Sequence, residues 1–97
     1  MKQTIFKYTI ELSDEPHDVP TVRLPLGAKI LSVGNQNERL RLWALVDEAE
    51  TETVEHKFKV IPTGGEASGA ESLTFLGTVS FHRGAFIFHV FEQQEAV

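Results

Sequence analysis

This sequence contains no cysteine. A disulfide framework, a thiolate zinc site and a thiol nucleophile are therefore excluded. Its first segment, MKQTIFKYTIEL, alternates polar and apolar residues and lacks a continuous apolar core. We expect neither a signal peptide nor a membrane anchor, and we predict a cytoplasmic protein with no membrane partner.

Basic residues are also scarce: 9 Lys and Arg stand against 14 Asp and Glu, for a net charge of −5. A field of this sign repels phosphate backbones, so we expect no polymeric nucleic acid as a partner. Hydrophobic residues at 41% and charged residues at 24% are typical of a chain that folds. Its length of 97 residues suits one domain, which we expect to span 1–97.

Apolar residues recur at every second position along much of the chain, whereas helical spacing never persists beyond about two turns. This pattern predicts an all-β fold, a compact single-domain antiparallel sandwich or barrel of about six to seven strands. The first strand is expected to turn one face to the core, with Phe6, Tyr8, Ile10 and Leu12. SDEPHDVP, which contains His17, should be a turn, and Pro25 should place a short strand at a sheet edge.

The segment AKILSVGNQNERLRLWALVD is predicted to form a hairpin that turns at Asn37 and Glu38. In that register Ile30 would face Leu45. The expected core face holds Leu31, Val33, Leu40, Leu42, Ala44 and Val46. The opposite face combines Trp43 with Ser32, Arg39 and Arg41. An indole beside guanidinium groups can stack on a base or hold a phosphate, so these four residues are the candidate ligand site. The alternative is that Trp43 belongs to the core and the arginines are solvated.

After an acidic connection, Val54, His56, Phe58 and Val60 should share one face of the next strand. The Gly- and Ser-rich PTGGEASGAES then suggests a surface loop. Backbone amides in this loop could hold an anion, but it neither opens a helix nor carries a P-loop lysine.

A second hairpin is predicted around a two-residue turn at Arg83 and Gly84. Its expected core face holds Phe75, Gly77, Val79, Phe81, Phe86, Phe88 and Val90. The other face is mixed, with Thr78, His82, Ile87, His89 and Phe91 as its candidate interface residues. Two alternatives stand for this face: a second copy of the chain buries it, or a loop or terminus of the same chain covers it.

The same hairpin limits what the histidines can do. His82 and His89 would lie about 13 Å apart at roughly 3.3 Å per residue, too far to share a metal ion. We therefore expect no metal and no cofactor, and a hydrogen bond between His89 and the opposite Thr78. No G-x-S-x-G motif or comparable nucleophile signature is present, so we expect a non-enzyme. Acid and base residues brought together from separate strands remain the enzymatic alternative.

Three segments, Pro25–Val33 (PLGAKILSV), Leu42–Asp47 (LWALVD) and Gly84–Glu92 (GAFIFHVFE), resemble a family of small proteins of unknown function from tailed bacteriophages and prophages. Thr4–Tyr8 is similar to the T-I-W/F-K-Y strand with which that family begins. The chain departs from it at Asn37-Glu38, where the family usually has Asn-Gly. The resemblance implies a phage protein made in a bacterial cytoplasm, and it supplies no catalytic residues.

Together these observations predict a non-catalytic accessory binding protein that self-associates into a homo-oligomer. One hypothesis is that it sequesters a small anionic, nucleotide-like ligand at Trp43 and Arg41. The alternative is an inhibitor or adaptor that docks an apolar sheet face on a host or virion protein.

Overall fold

The computed structural model describes residues 2–13, 15 and 18–93. Alternating apolar residues place seven strands in two antiparallel sheets. The strands are β1 (Gln3–Thr9), β2 (Thr21–Pro25), β3 (Lys29–Gln36), β4 (Arg39–Asp47), β5 (Thr53–Pro62), β6 (Thr74–Phe81) and β7 (Phe86–Gln93). Short 3₁₀ turns cover Ala70–Ser72 and His82–Gly84. In this part of the chain no helix is long and apolar enough to cross a membrane.

Sheet A has the order β1-β4-β3, and sheet B has the order β2-β5-β7-β6. The two sheets enclose one core of buried side chains. Its members are Ile10, Leu24, Leu40, Leu42, Ala44, Val46, Phe58, Val79, Phe81 and Val90. The all-β sandwich prediction is confirmed, and so is the edge position of the strand that ends in Pro25. Residues 14, 16 and 17 of the predicted turn lie outside the described residues.

The sandwich is closed on one side by contact between two edge strands. Adding a Cβ to Gly77 of β6 would bring it within 2.9 Å of Val33 Cγ2 on β3. Nearby, the Asn35 amide Nδ2 donates a hydrogen bond to the Ser80 carbonyl, 2.9 Å away. The two ladders do not join there, so the fold is a sandwich and not a closed barrel.

The first hairpin turns at Asn37 and Glu38, as predicted, with φ values of 57° and 61°. Its register near the turn is also as predicted, with Val33 opposite Leu42 and Ser32 opposite Trp43. Beyond Ser32 a bulge shifts the pairing by one residue, so Ile30 lies opposite Ala44 and not opposite Leu45. The core assignment of Leu31 is therefore wrong: Leu31 is 45% exposed, and Ile30 packs against the core.

The second hairpin keeps the predicted register from Phe81 opposite Phe86 to Gly77 opposite Val90. Its loop, however, has four residues and not the predicted two, because the pairing ends with Phe81 opposite Phe86 and His82 already has a positive φ of 49°.

Two core assignments in this hairpin are wrong. Phe75 is 57% exposed because a bulge between Phe75 and Gly77 turns Leu76 toward the core instead. Phe86 is 54% exposed because it occupies the last ladder position, at the end of the sandwich.

Candidate functional site

The outward side of sheet A brings the predicted ligand residues together. Side chains alternate along β4, so Leu40, Leu42, Ala44 and Val46 are buried while the residues between them point outward. The strand register adds the outward residues of β1 and β3. We call this surface the Trp43 face: Gln3, Ile5, Lys7, Thr9, Lys29, Ser32, Gly34, Gln36, Arg39, Arg41, Trp43, Leu45 and Asp47.

Trp43 lies near the centre of this face, between Lys7 on β1 and Ser32 on β3. Its ring extends over Gly34, where an added Cβ would come within 3.3 Å of Trp43 Cζ3. The side chain is half-buried and lies outside the core cluster. Gly34 thus leaves room for the indole above β3. Because Trp43 is half-buried on the outward side and absent from the core cluster, the alternative that Trp43 belongs to the core is wrong.

The charges on the Trp43 face are opposite in sign to those of the whole chain. It carries four cationic side chains, those of Lys7, Lys29, Arg39 and Arg41, and one carboxylate, that of Asp47. The Asp47 carboxylate accepts a hydrogen bond from the Ala49 backbone N–H. The register places Lys7 directly beside Trp43 and places Arg41 and Lys29 in the adjacent rows, so cationic side chains flank the indole although the net charge is −5. Arg39 lies one row farther along β4, beside Glu11.

The cationic groups of Lys7, Arg41 and Arg39 differ in the contacts that hold them. Lys7 Nζ donates a hydrogen bond to Gln36 Oε1 at 2.5 Å. Lys7 is aligned with Trp43 and Gln36 is aligned with Arg39, so the Lys7 side chain extends diagonally over the residues aligned with Arg41. Arg41 donates from Nη1 to the Thr9 hydroxyl, and its buried Nε–H has no acceptor among the described residues. Arg39 reaches Glu11 at 3.8 Å, but both side chains are exposed, so this ion pair is weak.

A second candidate site, which the sequence did not predict, lies where the two hairpin turns meet. We call it the turn groove: its lining includes the apolar side chains of Leu12, Phe86 and Phe88 and the polar side chains of Glu38 and His82, and its volume is about 350 Å³. This size lies in the range of small-molecule pockets. The alternating pattern could not reveal it, because it is formed by the two turns together with residues 9–12, and these three segments are distant in sequence.

Glu38 clamps the two turns together. Its carboxylate accepts a hydrogen bond from the His82 backbone N–H at 3.1 Å and lies 3.9 Å from His82 Nδ1. Its own backbone N–H donates to Asn35 Oδ1 at 2.9 Å. The His82 ring also packs edge-on against Phe86, with centroids 5.5 Å apart. Glu38 occupies a turn position where glycine is more usual, and its carboxylate links one hairpin to the other.

The outward side of sheet B carries the predicted interface residues. His89 is bonded across the strand pair to Thr78, as predicted, with Nδ1 2.9 Å from the hydroxyl. Its Nε2 lies 2.7 Å from the hydroxyl of Thr63, which begins the Gly- and Ser-rich loop. Ile61, beside His89, is only 5% exposed, although it lies outside the main core cluster.

This loop therefore covers part of the predicted interface from within the same chain. The loop and the sheet line a small open pocket that includes His89 and Phe91. Thr78 and His82 remain exposed and Ile87 is half-buried. Burial of that remainder by a second copy stays a prediction.

A polar pair inside the sandwich also escaped the sequence analysis. His56 Nδ1 lies 2.6 Å from Glu92 Oε2, and the two side chains are 19% and 24% exposed. Alternation along each strand would have turned both residues inward, but their proximity requires the β5–β7 pairing. Among the described residues, no three side chains of His, Asp or Glu are grouped closely enough to hold a metal ion.

Comparison with known proteins shows to which family the chain belongs. No curated protein and no solved structure matches the chain. A family model described as a domain of unknown function, DUF7352, matches residues 1–97. The match extends from β1 through β7 and so includes both the Trp43 face and the turn groove. The chain therefore belongs to the DUF7352 family.

Proposed function

We propose that this protein is a non-catalytic, phage-type accessory protein of the bacterial cytoplasm that binds a small anionic, nucleotide-like ligand on the Trp43 face. The observation that carries the proposal is that three cationic side chains, those of Lys7, Lys29 and Arg41, flank a half-buried indole in a chain of net charge −5. The planar base of the nucleotide would stack on Trp43, and the phosphates of the nucleotide would lie toward Lys7 and Arg41. Positive charge supplies the attraction and the indole supplies the preference for a planar group.

The arrangement of Lys7 and Arg41 supports an anion at this position. Both side chains extend over the same part of the sheet, and no carboxylate of the Trp43 face lies between them. Like charges in one region repel each other, so an anion placed between them would lower the electrostatic free energy. The long polymer backbone of a nucleic acid would instead meet the acidic remainder of the surface.

Trp43 provides a direct assay because it is the only tryptophan in the chain. A panel of nucleoside mono-, di- and triphosphates and cyclic dinucleotides is titrated while tryptophan fluorescence is recorded. We expect at least one member to quench the fluorescence. The same ligand should raise the free energy of unfolding by about 2.7 kcal/mol at a hundredfold excess over its dissociation constant. Pyrophosphate, which lacks a base, should bind more weakly.

A matched pair of variants separates a site from general charge attraction. Lys7→Gln removes one cation from the Trp43 face, whereas Lys57→Gln removes an exposed cation from sheet B with the same change in net charge. We expect Lys7→Gln alone to weaken binding. Equal weakening by both variants, or no quenching by any nucleotide, would show that the Trp43 face is not a nucleotide site.

The turn groove favours a second candidate function, docking on a host or virion protein. Leu12 and Phe86, both on its lining, are 47% and 54% exposed, and a partner's apolar side chain would bury them. In a pull-down from host lysate, Phe86→Gln should abolish capture of a specific protein, whereas Phe75→Gln, at a similarly exposed position outside the groove, should not. Capture unaffected by Phe86→Gln would argue against docking at the groove.

A further inference from the structure

The two open sheets have four edge strands, and three of their edges are protected against pairing with another strand. β2 is only five residues long and ends in Pro25. β3 and β6 each contain a bulge. They also face each other, through Val33 and Gly77 among other residues. Short length, proline, bulges and cover are the usual means by which proteins protect sheet edges.

Within the described part of the chain, β1 has none of these protections. It is seven residues long, contains no proline or glycine, and pairs with β4 in an unbroken register. The Ile10 N–H donates to the Leu40 carbonyl and the Glu48 N–H donates to the Lys2 carbonyl, so the even-numbered residues of β1 point their backbone groups at β4. The backbone N–H and C=O groups of Gln3, Ile5, Lys7 and Thr9 therefore point away from the sheet, at a free edge.

The side chains along this edge are suited to burial. Ile5 is 56% exposed on the outer face, and Phe6 is 43% exposed on the inner face. Lys7 is the one charged residue of the strand, and a lysine on an edge strand normally discourages pairing. Here its ammonium group reaches across β4 to Gln36 on β3, away from the free edge.

We propose that β1 pairs antiparallel with β1 of a second copy about a two-fold axis at Phe6. The free edge requires a strand as its occupant, and the β1 sequence complements itself in this register. All seven residues then pair, and Ile5 lies opposite Lys7 of the partner subunit. Centring the axis on Lys7 would place two like charges opposite each other, and centring it on Ile5 would pair only part of the strand.

The pairing would join two copies of sheet A into one continuous sheet, with the two Trp43 faces on the same side. The partner subunit's Lys7 would then lie beside Ile5 and add a cation at the margin of each Trp43 face. This inference stands on the edge geometry alone and does not depend on nucleotide binding.

Proline at position 5 tests the pairing without disturbing the β1–β4 ladder. The Ile5 N–H points at the free edge, so Ile5→Pro removes only an intermolecular donor and adds a ring carbon in its place. Ile5→Ala is the control, because it shortens the side chain but keeps the N–H. We expect a concentration-dependent dimer for the natural chain and for Ile5→Ala in sedimentation equilibrium. For Ile5→Pro, two symmetric hydrogen bonds are lost, and the dimer dissociation constant should rise about tenfold to a hundredfold.

Two single-cysteine variants test the register independently. The natural chain contains no cysteine, so only the introduced thiol can form a disulfide. Phe6→Cys places two thiols on directly opposed positions, with Cα atoms about 4.5 Å apart, which a disulfide can bridge. Gln3→Cys is the control, because its two copies would lie roughly 20 Å apart at about 3.4 Å per residue. Mild oxidation should cross-link Phe6→Cys and leave Gln3→Cys monomeric on a denaturing gel.

Three outcomes would overturn the proposal: a natural chain that stays monomeric at the highest soluble concentration, a dimer undiminished in Ile5→Pro, or equal cross-linking of the two cysteine variants. A monomeric natural chain would leave the β1 edge to a strand from a different protein. If Ile5→Pro fails to fold, the cysteine pair decides the question.

Discussion

Contact between β3 and β6 closes one side of the sandwich at Gly77. Replacing Gly77 with alanine should lower the free energy of unfolding when Val33 is present and raise it when Val33 is replaced by alanine. An added Cβ at Gly77 would lie 2.9 Å from Val33 Cγ2, closer than real Cβ contacts. Valine is stiff at χ1, so the neighbour yields little. Overpacking of this kind costs about 1–3 kcal/mol. Gly77 has no left-handed φ, so the alanine also gains about 0.4–1 kcal/mol by restricting the unfolded chain. We therefore expect Gly77→Ala to destabilise the protein by about 1 kcal/mol.

In a Val33→Ala background the obstructing methyl group is gone, and only the unfolded-state gain remains. Gly77→Ala should then stabilise by about 0.4–1 kcal/mol, which gives a coupling of about 1–3 kcal/mol between the two positions. Urea denaturation of the four chains at one fixed protein concentration measures each free energy of unfolding. The same effect of Gly77→Ala in both backgrounds would refute the argument that contact between β3 and β6 closes this side of the sandwich.

The remaining predictions concern the bulge in β3 and the single tyrosine. Ile30→Ala should cost about 2 kcal/mol, since Ile30 packs against the core, whereas Leu31→Ala should cost less than about 0.5 kcal/mol; the reverse order in chemical denaturation would contradict the bulge. Burial raises the pKa of Tyr8 above its ordinary value, so the unfolded chain ionises first as the pH rises. The stabilisation is complete below the unfolded-state pKa of about 10 and is lost as the pH rises through the folded-state pKa. Ultraviolet titration should show phenolate forming at higher pH in the folded protein than in urea, and coincident curves would contradict this.

Alternation in the sequence predicted the sandwich because one buried face per strand imposes a period of two residues. The same pattern placed Trp43, Arg39, Arg41 and Ser32 on one outward face. It failed at Leu31 and Phe75, where bulges add one residue and turn the following side chains to the opposite face. A bulge leaves little local signal, because it depends on how the two sheets fit at their edges.

The sequence alone therefore determined properties that depend on local order and composition. These are the all-β class, the strand register of both hairpins next to their turns, the position of His89 opposite Thr78, and the exclusion of cysteine chemistry. The tertiary structure decided what depends on strand order. Pairing of β1 with β4 brings Lys7 beside Trp43 and leaves one edge of β1 free. Pairing of β5 with β7 lets His56 meet Glu92. Strand order follows from packing over the whole chain, and residues distant in sequence become neighbours only when both sheets have formed.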